Sequence, residues 1–439
     1  MSVQAHTHRH LTEQDTLATS LEDTSLEVPS LEEEWPGLFD TVDSPIRAAI
    51  ARRILSRAVA RLPLRIEFPN GTRIGAGGDN DPLMTIHRPR QFFARLGADA
   101  KIGFGESYMA GDWDAAPGTD LADLLTPLAA NVATLVPPSL QRLRRLVERR
   151  QPAAEQATIP QAQENIRRHY DLSNELFAAF LDETLSYSSA LFDAGDDLAA
   201  AQRRKIDAIL DRAAVRSGTT MLEIGTGWGE LAIRAAQRGA EVTTVTLSTE
   251  QRDLAIRRVA DAGLSDHIRI LLCDYREVTG HYDAIVSVEM LEAVGQRYWP
   301  DYFSTLDRLL RPGGRIGLQT ITMPHDRMVA TQHSYSWIHK YIFPGGIIPS
   351  IHAIEGALQT NTSLMVTERH DFGSHYATTL RLWRQRFLTN WSTVAGHQFD
   401  SVFKRMWEFY LAYCEAGFLA GYLGVSQFSL TRSPNGSMQ

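Results

Sequence analysis

The sequence predicts an α/β protein: a doubly wound, Rossmann-like parallel sheet with a smaller α+β domain ahead of it. Three observations carry this. Beyond residue 200, apolar segments with strand and helix periods alternate. The first of these strands runs straight into a glycine-rich turn that opens a helix. The 439 residues, 44% hydrophobic and 22% charged, suffice for two or three buried cores and carry no low-complexity bias.

In chain order, residues 1–43 are polar and acidic, with Glu32, Glu33 and Glu34 in a row, and read as a disordered tail. Residues 44–150 read as a small α+β domain for lipid or dimer contact. Its segment 45–62 has helical spacing, 64–68 alternates as a strand, and Asn70-Gly71 makes a turn. A helix over 121–135 is stopped by Pro137-Pro138. Segment 140–150 interleaves Arg142, Arg144, Arg145, Arg149 and Arg150 with Leu140, Leu143, Leu146 and Val147. A solvated linker helix and a lipid-surface contact both fit that pattern. Residues 151–163 form a linker, 164–432 the larger domain and 433–439 a flexible tail. Within the larger domain, helices are expected over 199–214, 230–237, 250–262 and 298–310. Strands are expected over 220–224, 241–246, 268–272, 284–288 and 314–321.

Composition excludes several classes. Cys273 and Cys414 are far apart and form no CxxC pair, which argues against a disulfide framework or a metal site and for a reducing cytoplasm. A net charge of −8 offers no global field for nucleic acid. No long uncharged apolar run or secretory leader is read, so the chain is expected neither to span a membrane nor to be exported by the usual route.

The glycine turn reads Glu223-Ile224-Gly225-Thr226-Gly227-Trp228-Gly229. Missing side chains let a ligand approach the backbone closely. Glu223, two places before the first glycine, can accept from a ligand ammonium group. The spacing is not the G-x-G-x-x-G of dinucleotide enzymes, and about 20 residues on the chain reads Thr244-Val245-Thr246-Leu247-Ser248 where an acid would meet ribose. No phosphate-cradling GxxxxGK[ST] occurs. Asp274 and Tyr275, after the third strand, are placed to meet an adenine. These features point to S-adenosylmethionine and a class I methyltransferase sheet.

Further motifs are Arg168-His169-Tyr170-Asp171-Leu172-Ser173-Asn174, Leu185-Ser186-Tyr187-Ser188-Ser189-Ala190, Leu291-Glu292-Ala293-Val294-Gly295 and Lys340-Tyr341-Ile342-Phe343-Pro344-Gly345-Gly346. With the glycine turn and Gln251, they make residues 160–430 resemble the cyclopropane-fatty-acyl-phospholipid synthase family. Gly105-Glu106-Ser107-Tyr108-Met109-Ala110-Gly111-Asp112-Trp113 resembles its N-terminal domain. The resemblance implies methyl transfer from S-adenosylmethionine to the cis double bond of a phospholipid acyl chain, at the inner membrane face. It places Tyr187, Ser188, Gly225, Gly227, Trp228, Gly229, Thr246, Leu247, Ser248, Gln251, Asp274 and Tyr275 around the cofactor. It also implies a bicarbonate cradle of Glu292, Tyr376, Ser189 and Gln319, with Cys414 at a further family position once linked to catalysis. No basic residue flanks Cys414, so a structural role is expected. Acyl-chain contacts fall to His169, Tyr170, Tyr341, Phe343 and Gly345. A homodimer, and a downstream reductase for a methylene product, are the other partners expected.

An alkene is a poor nucleophile, so it must meet the sulfonium in line at about 3–3.5 Å in a dry site. Desolvated aromatic faces could stabilise the resulting cation by about 2 kcal/mol each. Withdrawing some ten methylenes from a bilayer costs roughly 8 kcal/mol, which an apolar tunnel between the sheet and the insertion 323–357 would offset; a loop folded onto the domain's own core is the alternative. Direct proton loss from the new methyl closes a cyclopropane, whereas a hydride shift before proton loss leaves a methylene branch. Glu292 is the expected proton acceptor. Gln319 cannot take up a proton as His can, which points to the subgroup making methylene precursors of 10-methyl, tuberculostearic-type acids, with cyclopropane formation the alternative. A lipid-binding module built on a decayed methyltransferase, and a small-molecule or nucleic-acid methyltransferase, are the rival readings. The intact glycines, Tyr187 and Glu292 speak against the first, the lack of a basic stripe against the second.

Overall fold

The computed structural model describes residues 35–40, 44–132, 173–396 and 399–433. The basic segment 140–150, the linker 151–163, His169 and Tyr170, and nearly all of both tails lie outside them. Residues 1–39 divide off as a separate unit, of which only a short turn at 35–39 is described; residues 40–439 form one compact unit.

The first layer of the larger unit contains α1 (Pro45–Val59), β1 (Arg65–Glu67), β2 (Arg73–Ile74), β3 (Leu83–Ile86), α2 (Pro89–Ala98), α3 (Ala100–Met109), β4 (Trp113–Ala115) and α4 (Leu121–Ala130). Proline in the first turn of α1 and α2 starts each helix without losing a bond, and the Asp99 and Asp120 carboxylates accept from the first free N–H groups of α3 and α4. The strands pair in the order β2-β1-β3-β4. Helix α4 ends before the expected Leu135, where the Asn131 N–H turns back to the Leu128 carbonyl.

The second layer runs α5 (Asn174–Phe180), α6 (Leu198–Arg212), β5 (Thr220–Ile224), α7 (Glu230–Gln237), β6 (Glu241–Thr246), α8 (Thr249–Asp261), β7 (Ile268–Leu272), β8 (Tyr282–Val288), α9 (Leu291–Val294), α10 (Trp299–Leu309) and β9 (Leu310–Thr322). It continues with α11 (His325–Thr331), α12 (Trp337–Tyr341), α13 (Ile351–Asn361), β10 (Leu364–Asp371), α14 (Gly373–Val394), α15 (Ser401–Leu419) and β11 (Gly424–Arg432). The seven strands lie in the order β10-β11-β9-β8-β5-β6-β7. Successive strand residues face opposite sides. Met221, Val242 and Val286 pack beneath α6, α7 and α8, whereas Leu222, Ile285 and Leu318 pack beneath α10 and α13.

The five expected strands pair in parallel, and two further strands extend the sheet, of which β11 runs antiparallel to both neighbours, β9 and β10. A single crossover helix delivers the chain to the opposite end of the sheet and so makes parallel neighbours. The α14–α15 pair goes out and back, returning the chain to the end it left. That pair also carries the first layer. Phe409 on α15 packs against Phe104, Tyr108, Trp113 and Trp337, and the Arg405 guanidinium sits 4.1 Å above the Tyr108 ring. Buried Arg384 donates to Asp120 and to fully buried Glu415.

Candidate active site

Strand order reverses between β5 and β8, and ligands of such sheets bind at the strand carboxyl ends there. A cleft opens at that point, about 1050 Å³ with its mouth included, a size suited to a nucleoside-sized ligand. Its floor is the glycine turn. Gly225, Gly227 and Gly229 all have left-handed φ, and a Cβ on Gly225 would lie 2.7 Å from the Met290 sulfur. The backbone there is pared down where a ligand must approach.

Glu223, Thr246, Leu247, Gln251, Tyr187, Ser188, Trp228 and Tyr275, all expected cofactor residues, line the cleft with Gly225 and Gly227, while Gly229 is outside the lining at the start of α7. Glu223 is buried and accepts from the Thr244 hydroxyl at 2.6 Å; burial raises its carboxyl to about 8. The Thr246 hydroxyl donates to Gln251 Oε1 at 3.0 Å, presetting that amide. The Trp228 indole donates to Asn174. The Tyr187 hydroxyl pairs with that of Tyr410 at 2.6 Å, and its ring lies against Phe177, Phe180 and Trp383.

Two of the expected cofactor residues are bonded locally. Ser248 is not among the lining residues: its hydroxyl caps α8 by accepting from the Gln251 N–H. Asp274 is likewise turned to local work, since Arg276 grips both its oxygens at 2.7 Å and it caps the turn 275–277. Tyr275 and Cys273 face the cleft in its place.

Three of the four cradle residues, Ser189, Gln319 and Tyr376, converge, but not on a vacant anion site. Glu289, immediately after β8, holds φ +53, a rare conformation for a residue with a side chain. It lines the cleft, and its carboxylate is buried. Oε1 accepts from the Ser189 N–H at 2.9 Å and Gln319 Nε2 at 2.8 Å; Oε2 accepts from the Tyr376 hydroxyl at 2.6 Å. Gln319 is oriented for this because its Oε1 accepts from Gln427 Nε2 at 3.0 Å. The Ser189 N–H, the Gln319 amide and the Tyr376 hydroxyl are therefore spent on a carboxylate of the chain itself, the Ser189 hydroxyl donates to the Ala190 carbonyl, and the set does not fit bicarbonate.

Glu292 stands behind this point. One oxygen accepts from the Thr320 hydroxyl at 2.9 Å and the Ile321 N–H at 2.5 Å, the other has no partner, and it is absent from the cleft lining. Burial, reinforced by the Glu289 charge, raises its carboxyl to about 8. Cys414 lies on α15 outside the lining, and burial pushes its thiol up to about 12, leaving no thiolate at neutral pH.

The expected acyl contacts do other work. The Tyr341 hydroxyl donates to Glu106 of the first layer, Phe343 meets the Tyr410 ring edge-on, and Gly345 makes a left-handed turn. The insertion's Met328, Ile347 and Ile354 join the core of the large sheet, so much of it folds onto its own domain.

Sequence reasoning misses two site residues. Glu289 is one; an acid directly after the strand next to the glycine strand is the signal for it. Lys205 is the other: fully buried, it lines the cleft and donates to the Ser188 hydroxyl at 2.5 Å, and burial lowers its ammonium to about 8. A lysine in an amphipathic helix gives no such signal.

Comparison with known proteins places this geometry. Residues 157–428 match the family described as mycolic acid cyclopropane synthetase. The chain is 51% identical over 411 residues to tuberculostearic acid methyltransferase UfaA1 of Mycobacterium tuberculosis, covering 91% of this chain and 96% of the relative. It is 34% identical to cyclopropane-fatty-acyl-phospholipid synthase of Escherichia coli over 347 residues, 78% of this chain and 86% of the relative. Among solved structures, the mycolic acid cyclopropane synthase CmaA1 complexed with SAH and CTAB superposes with a TM-score of 0.57 at 33% identity, over 61% of this chain and 97% of that one. The cyclopropane synthase MmaA2 from Mycobacterium tuberculosis gives 0.56 at 32%, with the same coverage. The sheet order, the glycine-floored cleft and these matches together make the chain a member of the mycolic acid cyclopropane synthetase family.

Proposed function

We propose that this protein methylates the cis double bond of an unsaturated acyl chain in a membrane phospholipid, with S-adenosylmethionine as donor, and that the product carries a methylene branch. The observation that carries the reading is a cleft whose floor is the glycine turn and one of whose walls carries the Tyr187 ring. Behind that ring Phe180, Trp383 and Tyr376 pack in edge-on and tilted contacts. When bound, S-adenosylmethionine supplies an electrophilic methyl on a sulfonium. The chain's residues hold the donor, exclude water that would quench a carbocation, and face that cation with π-clouds.

Gln319 supports the methylene product, since its amide is fixed between Gln427 and Glu289 and takes up no proton. The 51% identity to a tuberculostearic acid methyltransferase supports the same product. Cyclopropane formation is the second reading, favoured by the 34% identity to an acyl-phospholipid synthase. Among the described residues no helix is long and apolar enough to cross a membrane; the acyl chain is then met by peripheral contact at the inner face, with residues 44–150 as the lipid- or dimer-facing domain. A methylene product calls for a reductase downstream. Incubation with dioleoyl phospholipid vesicles and S-adenosylmethionine, followed by ozonolysis and mass spectrometry, tests the reading. A methylene lipid is cleaved at the branch; a cyclopropane resists cleavage and would overturn the product assignment.

A further inference from the structure

We propose that Glu289 is the catalytic base of this reaction, a carboxylate built into the chain where a bound anion would otherwise be needed. The inference rests on the methyl-transfer reading above and adds the residue that ends each turnover.

Three observations carry it. Glu289 follows the last residue of β8, beside the strand that feeds the glycine turn, and faces the same cleft as Gly225, Gly227 and Tyr187. Its backbone is held at φ +53, where a residue bearing a side chain is strained, so the fold maintains this placement against a local cost. Three donors from three separate segments, Ser189, Gln319 and Tyr376, converge on its oxygens. A carboxylate offers about four lone-pair sites; three are filled, and Oε2, bonded only to the Tyr376 hydroxyl, keeps one free. Burial raises the Glu289 carboxyl, which suits it to take up a proton, while its three donors and the buried cation Lys205 oppose that shift; Glu292 behind it resists a second charge.

The step balances without another reagent. The π electrons form the new C–C bond, and the C–S pair stays on sulfur, leaving a carbocation on the adjacent chain carbon. A hydride moves from the methylated carbon to that cation, placing the positive charge beside the new methyl. A methyl C–H bond then breaks, its electrons form the C=C bond of the methylene branch, and Glu289 Oε2 takes the proton. The neutral acid returns the proton to solvent when the lipid leaves. If the base takes the proton before the hydride moves, the ring closes instead, so the reach of this fixed oxygen decides the product.

The test uses the full chain, dioleoyl phospholipid vesicles and S-adenosylmethionine labelled in its methyl, assayed in carbonate-free buffer with and without added bicarbonate. Wild type should transfer label equally in both. Glu289→Gln should lose at least about a hundredfold in turnover while binding S-adenosylhomocysteine within threefold of wild type in calorimetry. Glu289→Gly suits the left-handed backbone and frees the three donors, and formate or bicarbonate should restore part of its activity. Wild-type dependence on bicarbonate, or Glu289→Gln retaining more than a tenth of its turnover, would overturn the proposal even if the variants fold poorly or well. Failure of wild type to label any lipid would instead refute the methyl-transfer reading beneath it, and the proposal with it.

Discussion

Replacing Glu292 by Gln should make the protein more stable at alkaline pH and leave it nearly unchanged in acid. Glu292 is buried, one oxygen is satisfied by Thr320 and Ile321, and the other has no partner. Its carboxyl rises from an ordinary value near 4.5 to about 8, first through burial and then through the Glu289 charge. The folded state therefore keeps a proton that the unfolded chain releases, and stability falls as pH climbs from about 4.5 to about 8. The full effect of that interval is about 5 kcal/mol, at about 1.4 kcal/mol per pH unit. Partial relaxation around the charge makes about 2–3 kcal/mol the expected difference between pH 5 and pH 8.5. Gln keeps the accepting oxygen and has no charge to gain, so this slope disappears. Urea unfolding of both proteins at half-unit pH steps measures it; a difference between them that stays flat, or grows toward acid pH, would refute the reasoning.

Arg384→Met leaves buried Glu415 with Arg381 as its remaining cation and removes the guanidinium from Asp120, and should cost about 1–3 kcal/mol in chemical denaturation. Gly105→Ala places a Cβ 2.5 Å from the Trp337 ring, which is packed against Phe409; a loss of about 1–3 kcal/mol is expected, with S-adenosylhomocysteine affinity unchanged in calorimetry. Cys414→Ser should keep turnover within about twofold, because the thiol, raised to about 12, supplies no nucleophile at neutral pH.

Periodicity made β5 to β8 and the helices between them legible, because each strand is bounded by turn residues and each helix shows one apolar face. The direction of β11 was not, since it depends on whether one helix or two intervene before the chain rejoins the sheet. The glycine turn and Gln251 are local signals and could be placed directly. The Arg276 grip on Asp274 was not legible although the two are two residues apart: an acid after a strand looks the same whether a ligand or a neighbour takes it. Glu289 is the opposite case, since its three partners lie 30, 87 and 100 residues distant and meet only in three dimensions.

The helix pair α14–α15 bears Tyr376 toward the cleft and, on its other side, Phe409 and Arg405 toward the first layer. A fragment starting after residue 172 would lay bare the rings that Phe104, Tyr108 and Trp113 now cover, and strand the Arg405 head that Asp114 and two carbonyls now receive. Shortening this protein to its catalytic portion is therefore a matter of resurfacing, with polar side chains needed at Phe409 and Trp337 before such a piece could stay monodisperse.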